Sequence, residues 1–451
     1  MAGILESANK FVWGAPALVL ILGVGLYLSV RTRFAQLRLL PRAFRTFFSG
    51  LGKYEGSGVS PFSALCTALA ATIGTGNIVG VAGAIALGGP GAVFWMWVSA
   101  FLGMMIKFAE ATLAVHYRQK REGEWVGGPM HMIRVGMGKK WGFLAYIYCF
   151  FGVFAALGVG NATQINAVVT GLNQVMEQFG TPVTVRTNLG LGLLLAIPLG
   201  LVLCGGAKRI GRAAQVLVPV AACAYLILGS GVLMLRAKAI PGAFGAIFRG
   251  AFSPAAVTGG VVGSSFQSVR VGVARGVFTN EAGMGTASIA HAAAEVSHGA
   301  QQGLLGIIEV FLDTIVICTV TALVILCSGI AIPYGVDVGA ALTSDAFCAV
   351  YGSWASVLLT LAVCTFAFAT VLGWGLYGVR CAQFLFGSSC RKTFALVQTA
   401  MVVLSAVMRT GIVWTLAELV NGLMAIPNLI ALIVLSPKLK MLTDSFFDGF
   451  P

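Results

Sequence analysis

The sequence predicts an all-α polytopic membrane protein of about eleven spans. Two groups of five enter the membrane from opposite sides, behind one extra N-terminal span. Three observations predict it. The 451 residues are 58% hydrophobic and only 10% charged, with mean hydropathy +0.91. Long apolar runs alternate with short polar connections, and basic residues crowd into the connections on one side. Two of the runs, each opening one group of five, are interrupted by Gly, Thr and Asn near their middle.

The first apolar run, 11–30, is long enough to span and has no small-residue cleavage site behind it, so it reads as a retained span. Ten more follow at 60–87, 91–115, 142–171, 187–204, 212–235, 257–294, 303–331, 351–386, 393–410 and 411–435. They divide the chain into four parts. These are an N-terminal span with a basic cytoplasmic segment (1–59), a first five-helix repeat (60–236), a second, inverted one (237–436) and a cytoplasmic tail (437–451). The basic segments 31–58 and 116–141 are amphipathic surface helices or solvated loops; composition fits both. No letter-by-letter repeat is visible, so the two groups rest on pattern alone.

Net charge is +14. Topology explains it better than nucleic acid. Nineteen Lys and Arg fall on one side of the alternating spans, six on the other (Lys10, Arg186, Arg236, Lys238, Arg249 and Arg409) and four within spans. The positive-inside rule then puts the N-terminus outside and the C-terminus in the cytoplasm of a multi-pass plasma (bacterial inner) membrane protein. The ten cysteines lie almost all in apolar runs and form no CxxC pair, so they read as small buried hydrophobes.

The first interrupted span carries Ala70-Ala71-Thr72-Ile73-Gly74-Thr75-Gly76-Asn77-Ile78-Val79-Gly80. Lipid offers the backbone no partners, and each interior Gly costs about 1 kcal/mol of helix relative to Ala. A helix that stops and restarts here frees carbonyls able to hold a cation and N–H groups able to hold a carboxylate. A small-residue packing seam would explain the glycines but not Asn77. The second interrupted span carries Gly276-Val277-Phe278-Thr279-Asn280-Glu281-Ala282-Gly283-Met284-Gly285. Its Glu281 either pairs with Arg275 as a lock or helps hold a cation, and the lock is favoured.

Other polar groups stand out. Asn161 and Gln164 share a helix face at i, i+3 and serve interhelical bonding or a polar substrate. Thr365, Thr370 and Trp374 fall in one span. A Thr hydroxyl there adds an oxygen to a Na+ shell or bonds back to its own helix, and Trp374 forms a pocket wall. Lys107 and Glu110 read as a local ion pair. Glu309 and Asp313, like-charged on one face, call for a partner such as His291 or a base. Enzyme signatures fail: Gly74-x-Gly76-x-x-x-Gly80 is too long for a dinucleotide loop, Lys392-Thr393 lacks the preceding Gly of a P-loop, and HExxH is absent.

Together these residues resemble the alanine or glycine:cation symporters (the sodium:alanine symporter family), within the amino acid–polyamine–organocation superfamily. The likeness runs through Ala68–Ala82, Gly88-Gly89-Pro90-Gly91-Ala92-Val93-Phe94-Trp95-Met96-Trp97-Val98, Gly160-Asn161 with Gln164, Gly272–Gly285, Ile289–Ala294 and Leu372-Gly373-Trp374. The resemblance implies the leucine-transporter type of fold with one extra span, and Na+-coupled uptake of a small neutral amino acid: alanine or glycine, including D-alanine. It implies a substrate site at Thr75, Gly76, Asn77, Gln164, Phe278, Thr279, Asn280 and Trp374. It places a Na+ site at Ala70, Ile73 and Thr370, with no cofactor besides that ion. The chain departs from the family pattern at Ala369, where a Thr is common, and at Gly375, Val379 and Ser288. H+ coupling, or a channel or sensor for the same amino acid, are the competing readings.

Overall fold

The computed structural model describes residues 2–52, 56, 58–336, 339–408 and 411–448. Lys53 and Arg409, counted in the charge asymmetry, lie outside them, as do the end of 393–410 and part of 31–58.

The helices in chain order are α1 (Ala2–Val12), α2 (Ala15–Arg31), α3 (Leu40–Ser49), α4 (Pro61–Thr72), α5 (Val79–Gly88), α6 (Ala92–His116), α7 (Gly142–Leu157), α8 (Thr163–Gln178), α9 (Val185–Leu203) and α10 (Gly206–Leu235). They continue as α11 (Ile240–Phe252), α12 (Ser265–Asn280), α13 (Thr286–Ala292), α14 (Gly299–Val310), α15 (Thr319–Cys327), α16 (Ala341–Tyr351), α17 (Ala355–Phe386), α18 (Cys390–Val407), α19 (Gly411–Val434) and α20 (Ser436–Asp448). Among the described residues eight helices are long and apolar enough to cross a membrane by length and composition, and up to nine with α4 and α5 counted as one bent span. The other two expected spans correspond to the shorter α2 and to the pair α12–α13.

Each element has a local cause. Ser60 Oγ accepts from Ser63 N at 3.0 Å and Pro61 sits in the first turn, so α4 starts where a missing proline N–H costs nothing. Helix α4 then ends at Ile73, whose ψ of 97° leaves the helical basin, and α5 leaves at a 58° bend. Inside α7–α8 and between α14 and α15 the backbone widens into π-helical turns, Gly158–Ala162 and Phe311–Cys318.

The interior is built from α4, α6, α12, α13, α14 and α17. Of the most apolar stretch of α6, 67% is buried; of α9, only 17%. Leu193, Leu194, Ile197 and Leu201 of α9 point outward, as a lipid-facing helix requires. A buried charge chain links α6, α14, α13 and α4. Lys107 Nζ donates to Glu309 Oε1 at 2.8 Å, Glu309 Oε2 lies 2.9 Å from His291 Nε2, and His291 Nδ1 lies 2.8 Å from Gln302 Nε2. Gln302 Nε2 also donates to Pro61 O at 3.2 Å. The local Lys107–Glu110 pair expected from spacing is therefore not formed. Both side chains are on α6, but Lys107 reaches across to Glu309, because that carboxylate has a second partner waiting in His291.

The segment 116–141 corrects the helical expectation. Gln119–Arg121 and Glu124–Val126 form an antiparallel hairpin, β1 and β2, turning at Glu122 and Gly123 with positive φ. Arg118 stacks 4.2 Å over the Trp125 ring and donates to the carbonyls of Ala292, Ala294 and Val296. The segment 31–58 does contain a strongly amphipathic helix, α3. The helices α11 and α16 fall in stretches read from sequence as connections; each follows a long span without being long enough to be one.

Candidate functional site

The first break is held by one side chain. Asn77 Oδ1 accepts from Gly74 N at 2.9 Å, which replaces the helical bond Gly74 would donate to Ala70. Asn77 Nδ2 donates to Asp313 Oδ1 at 2.6 Å and to Asp313 O at 3.2 Å. Thr314 Oγ1 donates to Asp313 Oδ2 at 2.7 Å and accepts from Asn280 Nδ2 at 3.1 Å. The two breaks are thus joined through Asp313 in the π-helical turn. Asn77 and Asn280 are completely buried.

Three further side chains converge on Gly74–Gly76. Thr75 Oγ1 donates to Gln164 Oε1 at 3.1 Å. A Cβ placed on Gly74 would come 2.8 Å from Thr370 Oγ1 and 3.7 Å from Gln164 Oε1. A Cβ on Gly76 would come 3.2 Å from Thr279 Cγ2 and 3.7 Å from Phe278 Cδ1. Glycine is needed at both positions for close approach. Ala369 is buried in one apolar cluster with Leu69, Ala70 and Ile73.

Across its whole length, residues 1–449, the chain matches the sodium:alanine symporter family. The chain belongs to this family. It is 42% identical to the sodium/alanine symporter AgcS of Methanococcus maripaludis, over 98% of this chain and 96% of that one. It is 37% identical to GlnT of Bacillus subtilis, named as a sodium/glutamine symporter, over 96% and 88% of the two chains. It is 35% identical to YrbD of the same organism, named as a sodium/proton-dependent alanine carrier, over 98% and 92%. The solved structure of MhsT in complex with L-phenylalanine superposes with TM-score 0.58 at 14% identity, covering 88% of this chain and all of that one. The fold is therefore that of the leucine-transporter type. A sodium:alanine symporter family member is a membrane transporter, not an enzyme.

Within this family member, the residues expected at the site divide into two sets. Ala70, Ile73, Thr75, Gly76, Gln164, Phe278, Thr279 and Thr370 gather around the first break. The side chains of Asn77, Asn280 and Trp374 are spent on protein contacts. Trp374 is buried under Gly160, where a Cβ would come 2.2 Å from Trp374 Cβ, and its indole Nε1 donates to Glu281 Oε1 at 2.9 Å. Thr365 is half-buried and donates to Leu361 O at 2.8 Å of its own helix, so its hydroxyl is not directed at the break. Thr370 also donates to its own helix, to Phe366 O at 3.0 Å, which leaves its oxygen lone pairs toward Gly74.

The Glu281–Arg275 lock is not formed. Glu281 caps α12 in the left-handed region and binds Thr286 Oγ1 at 2.6 Å besides Trp374, while Arg275 lies 3.9 Å from Glu418. Arg275 and Glu281 are six residues apart, and the left-handed cap at Glu281 turns the chain away from the helix that carries Arg275. Sequence reasoning missed two anchors. From sequence Asp313 reads only as an intramembrane charge; its partner Asn77 is 236 positions away. Glu110 accepts from Gly283 N at 3.0 Å, Gly285 N at 3.1 Å and Asn428 Nδ2 at 2.7 Å, and so holds the second break. Their signal in the sequence is the bare cost of a carboxylate inside a span. Of the departures from the family pattern, Gly375 is explained by packing: a Cβ there would come 2.3 Å from Leu203 Cδ2.

Proposed function

We propose that the chain imports a small neutral amino acid, glycine or alanine, D-alanine included, coupled to inward Na+ movement by alternating access. The observation that carries this reading is the convergence of Thr75, Gln164 and Thr370 on a helix end whose carbonyls have lost their helical donors. Na+ is a hard cation and takes oxygen ligands. In this reading the Ala70 and Ile73 carbonyls and Thr370 Oγ1 supply them. The amide groups of Thr75 and Gly76, ahead of α5, receive the substrate carboxylate at a positive helix end, while Asn77 N donates to Gly74 O at 3.3 Å and closes the turn. Gln164 hydrogen-bonds a polar substrate group. Phe278 and Thr279 close the wall at van der Waals contact with Gly76, which leaves room for a short side chain only. Asn77, Asn280 and Trp374 fix the walls through Asp313 and Glu281.

The two repeats, 60–236 and 237–436, then rock against each other around this fixed site. The N-terminus lies outside and the hairpin β1–β2 faces the cytoplasm, by the basic-residue asymmetry. AgcS supports alanine and Na+ as the pair. One observation favours H+ as the coupling ion instead: the Asp313 carboxylate is fully buried against the first break with only neutral partners, Asn77 and Thr314, in hydrogen-bonding contact.

The test is radiolabelled uptake into proteoliposomes with an imposed Na+ gradient and a panel of glycine, L-alanine, D-alanine and glutamine. Concentrative uptake of the small substrates that stops when choline replaces Na+, at fixed pH and voltage, is expected. Uptake that never exceeds equilibration identifies a channel, and uptake driven equally by a proton gradient in choline overturns Na+ coupling.

A further inference from the structure

A second charged cavity lies at the end of the molecule opposite the β1–β2 hairpin. It holds about 220 Å³ and is lined by Asn9, Trp13, Arg270, Arg275, Phe278 and Glu418 among others. Its charged walls face each other without closing. Arg275 Nη1 and Glu418 Oε1 are 3.9 Å apart, and their side chains are 26% and 25% exposed. The Glu418 carboxylate is held from behind. Asn9 Nδ2 donates to Glu418 Oε2 at 2.9 Å, and Trp13 Nε1 donates to the Glu418 carbonyl at 2.9 Å. Arg270, five residues before Arg275 on α12, is exposed and forms no ion pair with a described carboxylate. The floor is Phe278, whose ring lies 3.7 Å from where a Gly76 Cβ would stand. One aromatic ring therefore separates this cavity from the first break.

We propose that this cavity is an outer capture site for an amino-acid zwitterion. The ligand carboxylate sits between the Arg270 and Arg275 guanidinium groups, which present forked donors matched to it. The ammonium sits on Glu418 Oε1, the oxygen that Asn9 leaves free. A zwitterion satisfies both walls at once, where an anion or a cation satisfies one and stays opposed by the other. Movement of Phe278 passes the ligand to Gly76, and the Arg275–Glu418 pair faces itself again behind it. The N-terminal helix α1 gains a role in this arrangement: it fixes the acidic wall. The ligand class rests on the proposed function, and the experiment separates the two.

The experiment is equilibrium binding of radiolabelled L-alanine to the purified full-length protein in detergent with saturating NaCl. The proteins are the wild type, Gln164→Ala, Arg270→Gln, Glu418→Gln and each charge variant combined with Gln164→Ala. Arg270 is exposed, so its variant tests the site without touching the core. The expected result is that binding survives in Gln164→Ala and that each added charge variant weakens it about tenfold, the size of one lost charged contact. Competition should follow the same chemistry: glycine displaces the label, while propionate and ethylamine alone do not. Binding that vanishes in Gln164→Ala, or that ignores both charge variants, overturns the outer site and leaves the symport reading standing. Propionate competing as well as glycine makes it an anion site and also overturns the proposal. Binding untouched by Gln164→Ala but lost in the charge variants keeps the outer site and removes Gln164 from the central one. No amino acid bound by any of these proteins overturns both.

Discussion

The two helix breaks look alike in sequence and are built differently. The first, Gly74–Asn77, uses no left-handed residue: Gly74 is extended, and its glycines serve close approach to Thr370 and Thr279. The second, Glu281–Gly285, is left-handed at Glu281, Gly283 and Gly285, with φ of 53°, 95° and 75°. At the first break a single neutral side chain, Asn77, ties down one amide, and the carbonyls before it are left without helical donors. At the second, the Glu110 carboxylate takes two backbone amides, and Glu281 is spent on Thr286 and Trp374. In the proposed reading the second break is scaffold and the first is the one offered to ligands. At the second break the amides of Gly283 and Gly285 already have a carboxylate partner, whereas at the first the Ala70 carbonyl has lost Gly74 N to Asn77.

The largest expected effect lies on the scaffold side. Glu110→Ala leaves two amide N–H groups and the Asn428 amide without their acceptor. At about 1–3 kcal/mol for each buried unpaired donor, the protein should lose at least about 3 kcal/mol. A fall in thermal midpoint in detergent, largely rescued by Glu110→Gln because the amide oxygen still accepts, is the outcome to look for. Equal stability of Glu110→Ala and wild type would mean the second break is not held from α6.

Gln164→Ala acts on the other break and should behave oppositely. The protein loses only the Thr75 Oγ1 bond and the bond to Val159 O, so its thermal midpoint falls less than in Glu110→Ala, while substrate binding weakens by about 1–3 kcal/mol because a buried substrate group is left unpaired. Isothermal titration with alanine at saturating Na+ measures this. A change in stability as large as the change in affinity would make Gln164 scaffold.

An acid-sensitive group also belongs to the scaffold. Pro129 packs on Gly285, and the neighbouring His131 is buried among Arg121, Arg134 and Arg380. Burial and these charges push its imidazole from 6.5 down to about 4. Between those values the unfolded chain binds a proton that the folded chain refuses. Its contribution is therefore fully present above about pH 6.5 and falls on acidification, by about 2 kcal/mol at pH 5. His131→Phe should flatten the pH dependence of the thermal midpoint between pH 7 and 5. The same slope in both proteins would assign the acid sensitivity elsewhere.

Much of this was legible in the sequence, and the boundary is physical. The hydropathy of the long runs exposes the spans, since lipid imposes length and composition. Gly-Thr-Gly-Asn in mid-span betrays the first break, because a helix there has no cheap reason for those residues. What escaped was long-range pairing. Lys107 has Glu110 three residues away yet chooses Glu309, and Asn77 finds Asp313, 202 and 236 positions off respectively. Local spacing predicts local partners, and in a low-dielectric interior the winning partner is the one that the tertiary fold brings and a second group stabilises. The hairpin at 119–126 escaped for the opposite reason. It is short, polar and pinned by Arg118, so neither helical nor strand periodicity has room to develop.

The claim that the first break and Thr370 together hold the coupling ion is tested most directly at Ala369–Thr370. The measurement is the Na+ concentration giving half-maximal alanine uptake in proteoliposomes, at saturating alanine. Thr370→Ala should raise it, and Ala369→Thr, which adds a hydroxyl in the apolar cluster around Ala70 and Ile73, should lower it. A water in place of the missing hydroxyl costs about 0–2 kcal/mol to immobilise, which is up to about 25-fold in affinity. Opposite shifts of the two variants are the predicted result. An unchanged Na+ dependence in both, with transport intact, would contradict a cation site at this break.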